Sequence, residues 1–256
     1  EKMKIWLLKQ KQTQNWGTTR ATTEACYALL INNQQLLSTD ENPVIITLGK
    51  DTIDVSKVPD KEAGTGYFKT SWLGDEITND MATIGVKKPS KGIAWGGVYW
   101  QYFEDLDKIT QDKDIPHPLS LRKALYKVSL NERGEMLTAI TEENPLKVGD
   151  KVRIRIEIRV DRDMEYVHLK DMRASAFEPT TVFSQYKYRD GLYYYESTRD
   201  AATNFFFDYL PKGTYVFEYT VIATQAGVFS NGISSIQCMY APEFSEHSEG
   251  IKVKVE

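Results

Sequence analysis

The alternation of apolar and polar positions changes period once along this chain. From Met3 to Gln10 the residues Met3, Trp6 and Leu7 recur at helical spacing. From Thr19 to Asn33 the set Thr22, Ala25, Cys26, Leu29 and Leu30 does the same. Two helices are predicted, separated by Asn15 and Gly17, with Thr18 or Thr19 capping the second by accepting hydrogen bonds from its free amides. Such an αα-hairpin has apolar faces too small to enclose a core, so it must pack on something else and reads as a piece of a larger helical domain. After Asn42-Pro43 the apolar runs shorten. "VIITLGKDTIDV", "GTGYFKTSWLG" and "ATIGVKKPSKGIAWGGVYWQYFEDLDKI" predict strands and turns. The Pro-containing connector "DIPHPLS", Asp114 to Ser120, suits a boundary.

Beyond that connector the period is two. Val152, Ile154, Ile156, Ile158 and Val160 alternate with Arg153, Arg155, Glu157 and Arg159, which makes Lys151 to Val160 a strand with one buried and one wet face. Further strands are expected at Arg122 to Arg133, Glu165 to Arg173, Gly191 to Glu196, Asn204 to Tyr209, Thr214 to Thr224, Ser234 to Tyr240 and Gly250 to Val255. Strands this close, joined by turns such as "PKG" and "SNG", predict an antiparallel β-sandwich.

Composition narrows the function classes. The 32 basic and 36 acidic residues give a charge of -4 and are interspersed along the chain, which argues against nucleic acid as a partner. No run of 18 apolar residues occurs, and Met3 to Leu8 is too short for a span or a complete signal peptide. Two cysteines, Cys26 and Cys238, provide no disulfide framework, and both read as buried residues. His117, His168 and His247 have no second ligand at metal-binding spacing. No cofactor is implied.

Other chemistry-bearing residues have plainer readings. Asp161, Asp163 and Glu165 have calcium-loop spacing but lack the Gly and terminal Glu of such a loop, so they read as a solvated strand end. Glu104, Asp105 and Asp107 are too close in sequence to face each other across a substrate. His168 has no nucleophile beside it, and Glu157 interrupts the basic stripe of Arg153, Arg155 and Arg159. The run "YKYRDGLYYYES" puts Tyr193 and Tyr195 on one face and Tyr194 on the other. A tyrosine-bearing face makes a carbohydrate-binding or adhesin-like module the runner-up reading. A glycoside-processing α/α toroid fits only the helical hairpin and ranks last.

"GDKVRIRIEIRVDRDMEYVHLKDMRASAFEP" and "DYLPKGTYVFEYTVIATQAGVFSNGISSIQCMYAPEFSEHSEG" together resemble the C-terminal macroglobulin-like domain of the bacterial alpha-2-macroglobulin family. "WLLKQKQTQNWGTTRATTEACYALL" is similar to the last helices of that family's thioester-containing toroid, and "GGVYWQYFEDLDKI" to the β segment leaving it. The resemblance runs from Trp6 to Val255 and is weakest over Val44 to Lys91. It implies a mainly β chain in three parts. Residues 1–40 would be the terminal helical hairpin of the toroid, 41–116 a CUB-like β segment, and 117–256 a macroglobulin-like antiparallel β-sandwich.

It further implies a non-enzymatic piece of a protease-trapping envelope protein, periplasmic or surface-exposed. Its partners would be upstream domains of the same polypeptide, a protease met through the full-length parent and, for the isolated piece, a second copy of itself. Trapping in the family depends on a bait segment and, in many members, a thioester. This chain carries neither in recognisable form, since Cys26 in "TEACYALL" lacks the Gly, Glu and Gln neighbours a thioester needs. In "CMYAPEF", Ala241-Pro242 is expected to turn the chain away and leave Met239 and Tyr240 at a strand–loop junction. By resemblance these two are the binding residues, a cover lying against the toroid near its thioester.

Overall fold

The computed structural model describes residues 2–31, 44–59, 61–62, 66–89, 94, 96–111, 117–141 and 144–256. Several expectations fall outside them: Asn32 and Asn33 of the second helix, Asn42-Pro43, Gly64 and Thr65, residues 90–93 and 95, and Asp114 to Pro116 of the connector. The expected boundary 40/41 lies there too, as does residue 116 of the boundary 116/117. The chain forms two compact units, residues 1–9 with 16–97, and residues 10–15 with 98–256.

The helical reading of the N-terminal residues holds with a shifted face. Helix α1 (Lys2–Thr13) leaves Met3 and Trp6 exposed and half-buries Lys4, Leu7 and Leu8. Positions i, i+3 and i+4 make one stripe, so the inward set is one residue out of step with the expected Met3, Trp6 and Leu7. Helix α2 (Thr19–Leu30) starts where Thr18 accepts a hydrogen bond from the Ala21 amide at 3.1 Å, as its sequence predicts. Its covered stripe is Ala25, Ala28 and Leu29, while Cys26 is exposed, contrary to its expected burial. Cys26 sits about 100° around the helix from Ala25, off the stripe.

Three short strands follow, β1 (Ile45–Leu48), β2 (Asp51–Ile53) and β3 (Ile84–Lys87), in the antiparallel order β2-β1-β3. Gly49 turns the first hairpin at φ +57, where a side chain would meet the Asp80 backbone. Two strand expectations fail. Gly66 to Leu73 and Gly96 to Ile109 contain no strand, and Tyr67, Leu73, Val98, Tyr99 and Trp100 are exposed. An apolar run becomes a strand only where a neighbour completes its ladder, and these runs carry isolated backbone bonds, the Glu62 amide to the Tyr67 carbonyl and the Gly250 amide to the Ile109 carbonyl, without a ladder.

The second unit is the expected antiparallel sandwich. Its strands are β4 (Leu119–Asn131), β5 (Gly134–Ala139), β6 (Lys151–Val160), β7 (Met164–Met172), β8 (Phe177–Pro179), β9 (Gln185–Arg189), β10 (Leu192–Thr198), β11 (Ala202–Leu210), β12 (Gly213–Ala223), β13 (Gly227–Ser230), β14 (Ser234–Cys238), β15 (Ala241–His247) and β16 (Lys252–Val255). One sheet has the order β15-β14-β7-β11-β10-β9, the facing sheet β5-β4-β6-β12-β8, and β13 pairs with β16.

Strand alternation builds the core between them. Val152, Ile154, Ile156, Ile158 and Val160 of β6 all point inward with Leu119 and Leu121 of β4. They meet Val167 and Leu169 of β7, Phe205 and Phe207 of β11 and Ile236 of β14. Phe217 of β12 lies 5.3 Å edge-on from Tyr194 and 5.4 Å from both Phe205 and Phe207, so one ring locks the two sheets together.

Candidate functional site

Met239 and Tyr240 form the two-residue turn of the β14–β15 hairpin, since Cys238 pairs with Ala241. This corrects the expectation that Ala241-Pro242 turns the chain away. Pro242 sits instead in β15, the outermost strand of its sheet, where a missing N–H disturbs no ladder. Met239 is 56% and Tyr240 80% exposed. The turn is fixed from below, because the Met239 amide donates to the Tyr166 carbonyl at 2.9 Å and the Tyr240 ring meets the Tyr166 ring edge-on at 5.1 Å. Tyr166 itself sits at φ +55, and the inward positions Met164 and Val167 around it are three residues apart rather than two. The β7–β11 register runs unbroken past Tyr166, so the change of side-chain parity comes from its backbone conformation and not from an inserted residue. Below the tip Cys238 is buried, as expected, and its thiol donates to the Glu165 carbonyl at 3.3 Å. Burial raises the thiol's pKa, which disfavours the nucleophilic thiolate.

The same sheet carries an aromatic outer face. The register aligns His168 of β7, Phe206 of β11, Tyr195 of β10 and Tyr186 of β9 in one row across four strands. The ring centroids are 4.6, 6.5 and 4.9 Å apart along it. His168 is thus a stacking residue, parallel to Phe206 with its Nε2 3.0 Å from Asn204 Oδ1. Tyr188 and Tyr193 pair in the adjacent row at 5.6 Å. Between the rows opens a cleft of about 360 Å³, bordered by Tyr186, Tyr193, Tyr195, Phe206, Asp208 and Tyr209. Strand β9 was missed from sequence, although Asp190-Gly191, at φ +52 and +80, is a two-residue hairpin signal.

The remaining charged candidates serve structure. Asp163 accepts from the Tyr209 hydroxyl at 2.6 Å and the Lys212 amide at 2.8 Å, closing the β11–β12 hairpin. Those bonds hold its carboxyl below the usual range and raise the Tyr209 phenol to about 12. Asp161 pairs with Arg162, and Glu165 accepts from the Asn15 amide. Asp105 pairs with Lys108 and Asp107 with Lys252. Two of the three arginines in the basic stripe on β6 are neutralised, Arg153 by Glu135 and Glu218, Arg155 by Glu157 and Glu218. Among the described residues no group of three His, Cys, Asp or Glu could hold a metal ion.

A buried polar network escaped the sequence reading. Lys123 of β4 and Asp171 of β7 form a 2.7 Å ion pair across the sandwich with both side chains fully buried. Tyr219 and Ser234 donate to the two Asp171 oxygens at 2.6 and 2.7 Å, and Lys123 also donates to the Met172 carbonyl. Burial outweighs the Asp171 charge and lowers the Lys123 pKa. Burial, with the Asp171 charge adding to it, raises the Tyr219 phenol well above its ordinary range. The sequence signal was parity, since Lys123 alternates with Leu121 and Leu125, and Asp171 with Val167 and Leu169, on faces that are otherwise apolar.

Residues 119–243 match the family described as Bacterial Alpha-2-macroglobulin MG10 domain. No curated protein matches the chain. Among solved structures, a crystal structure of a Salmonella alpha-2-macroglobulin mutant aligns at 13% identity and TM-score 0.44, over 57% of this chain and 10% of that one. Native Escherichia coli alpha-2-macroglobulin spanning domain MG7 to the C-terminus aligns at 11% identity and TM-score 0.43, over 57% of this chain and 25% of that one. The trypsin-activated Escherichia coli protein aligns at 10% identity and TM-score 0.43, over 56% and 10%. In each case the aligned part is a quarter or less of the matched chain.

Proposed function

We propose, from the premise that residues 119–243 are a bacterial alpha-2-macroglobulin MG10 domain, that this chain is a non-catalytic part of a protease-trapping protein of the bacterial envelope. In this reading residues 1–40 are the end of a helical toroid, 41–116 a CUB-like segment and 117–256 the terminal macroglobulin-like sandwich. The sandwich positions the toroid and relays shape change between domains. Upstream domains of the same polypeptide are its direct partners, and a protease is engaged only through the whole protein.

The observation that carries the reading is the β14–β15 tip. An exposed thioether and an exposed phenol, presented on a turn pinned by Tyr166, are free to lie against a neighbouring domain without being needed by their own core. Met239 and Tyr240 are accordingly the cover over the reactive region of the toroid. The test is their joint replacement by Ala in the full-length protein. The covering role requires a looser toroid contact and faster loss of any thioester to water or to methylamine, with the stability of this chain lowered by no more than the roughly 1 kcal/mol that the Tyr166–Tyr240 contact supplies. A larger fall in stability with unaltered reactivity sinks the proposal. The non-catalytic part is tested separately, by a broad hydrolase screen in which turnover abolished by changing His168 or Glu104 would reverse it.

A further inference from the structure

The cleft on the outer aromatic face is chemically specific in a way the covering tip is not. Its lining includes the rings of Tyr186, Tyr193, Tyr195 and Phe206, and its one charged lining residue is Asp208. Asp208 is exposed and makes no ion pair or hydrogen bond among the described residues. Lys187 and Arg189 of β9 stand opposite Tyr194 and Leu192, on the other face of the sheet, and are engaged there by Glu196 at 2.8 Å and Asp190 at 3.4 Å. The neighbouring phenol of Tyr209 has its hydrogen committed to Asp163. What remains is an unneutralised carboxylate at the rim of an aromatic hollow.

The ring geometry selects among ligands. Tyr186 and Tyr195 are tilted by 59°, and Tyr195 and Phe206 by 38°. A sugar stacks best on a flat platform, which inclined rings do not offer, whereas a cation needs only one ring face within reach and a carboxylate beside it. The volume of about 360 Å³ takes a guanidinium or ammonium head with part of its alkyl stem. We infer that this cleft binds a cationic side chain, arginine or lysine, of a polypeptide partner, held by the tilted rings with Asp208 as counter-ion.

The experiment titrates the whole chain with a Gly/Ser heptapeptide carrying one central Arg, its Lys counterpart and a counterpart with neutral citrulline, with maltoheptaose and chitotriose as glycan arms. Binding is read from backbone amide shifts. The expected result is saturable shifts at residues 193–195 and 206–208 with the Arg or Lys peptide and none with citrulline. Asp208→Asn should weaken binding about tenfold, and so should raising salt from about 0.02 to 0.5 M. Tyr193→Ala should weaken it as well. Asp208 and Tyr193 are both exposed, and an unchanged melt verifies that each variant is folded. Equal binding of citrulline, indifference to Asp208→Asn, or no binding of either cationic peptide overturns the inference. Glycan binding lost in Tyr193→Ala and untouched by Asp208→Asn would replace it with a sugar platform.

Discussion

Strands β10 and β11 carry much the same chemistry on both faces and use it in opposite ways. On the inner face Tyr194, Phe205 and Phe207 close around Phe217, with Tyr194 5% exposed. On the outer face, one residue along, Tyr193 is 65% exposed and stands with Tyr195, Phe206 and Tyr186 around a cleft. Aromatic content alone therefore says nothing about core or site. Parity decides the face, and the second sheet decides which face is covered.

The comparison breaks first at Phe217. Phe217→Ala removes the ring that three inner aromatics contact and should cost about 3–5 kcal/mol, whereas Tyr193→Ala on the outer face should stay within about 0.5 kcal/mol. Urea melts of the two variants measure the difference directly. Comparable losses would mean that the outer ring is a packing residue.

Charge sharpens the same contrast. Lys123→Met leaves Asp171 charged and buried between the sheets without its cation, at a cost of about 3 kcal/mol or more. Asp208→Asn removes an exposed charge and should leave the melt unchanged. If Lys123→Met proves neutral, the inner network is held by Tyr219 and Ser234 rather than by the ion pair.

This contrast also marks what could be read from the sequence. The five apolar residues of β6 announced an inward face because alternation is a local property, and the opposite orientations of Tyr193 and Tyr194 followed in the same way. Which of the two tyrosines faced water was not legible, since that depends on a sheet far away in the chain. Lys123 and Asp171, 48 residues apart, meet only after both sheets have formed. Strand β5 is exposed throughout and β15 contains Pro242, so neither has the alternation that identified β6. Cys26 was misplaced because a twelve-residue helix with a mixed apolar face does not state which stripe is covered. The cleft was invisible for the same reason as the ion pair, being assembled from three strands by register.

At the border between the two faces Tyr209 offers a spectroscopic test. Its hydroxyl donates to Asp163, which, with partial burial and the nearby negative charge, raises the phenol from the ordinary 10.0 to about 12. The folded state holds the proton more tightly, so the bond's contribution is complete below about pH 10 and is lost as pH rises toward 12. At the acid end the depressed Asp163 carboxyl acts in the opposite sense, its contribution being lost as pH falls below the ordinary value of 3.8. Absorbance titration of the phenolates should show a late component that loses one tyrosine in Tyr209→Phe, and in Asp163→Asn the Tyr209 phenol should return toward 10. A late phenol that survives Asp163→Asn would assign the shift to burial alone; Tyr219, raised by burial, is the internal control.

The smallest effect lies where the outer face reaches the exposed tip. Tyr166 holds φ +55, a conformation that costs a residue with a Cβ about 1 kcal/mol and costs glycine little. Against that cost its ring has an edge-on contact with Tyr240, worth about 0.5–1.5 kcal/mol. Tyr166→Ala loses the contact and keeps the strain, so it should destabilise by about 1 kcal/mol. Tyr166→Gly loses the contact but relieves the strain, so it should melt close to the parent chain. The Gly variant should therefore exceed the Ala variant by somewhat less than 1 kcal/mol, because glycine also gains freedom in the unfolded chain. Urea melts of the parent and both variants decide the point. If Ala and Gly behave alike, the positive φ is not a source of strain; if both also match the parent, the tip is held by the bond from the Met239 amide to the Tyr166 carbonyl and not by the rings. If Gly proves better than Tyr itself, the ring is retained at a net cost to stability, and its presence beneath Met239 and Tyr240 has to be explained by what the tip contacts.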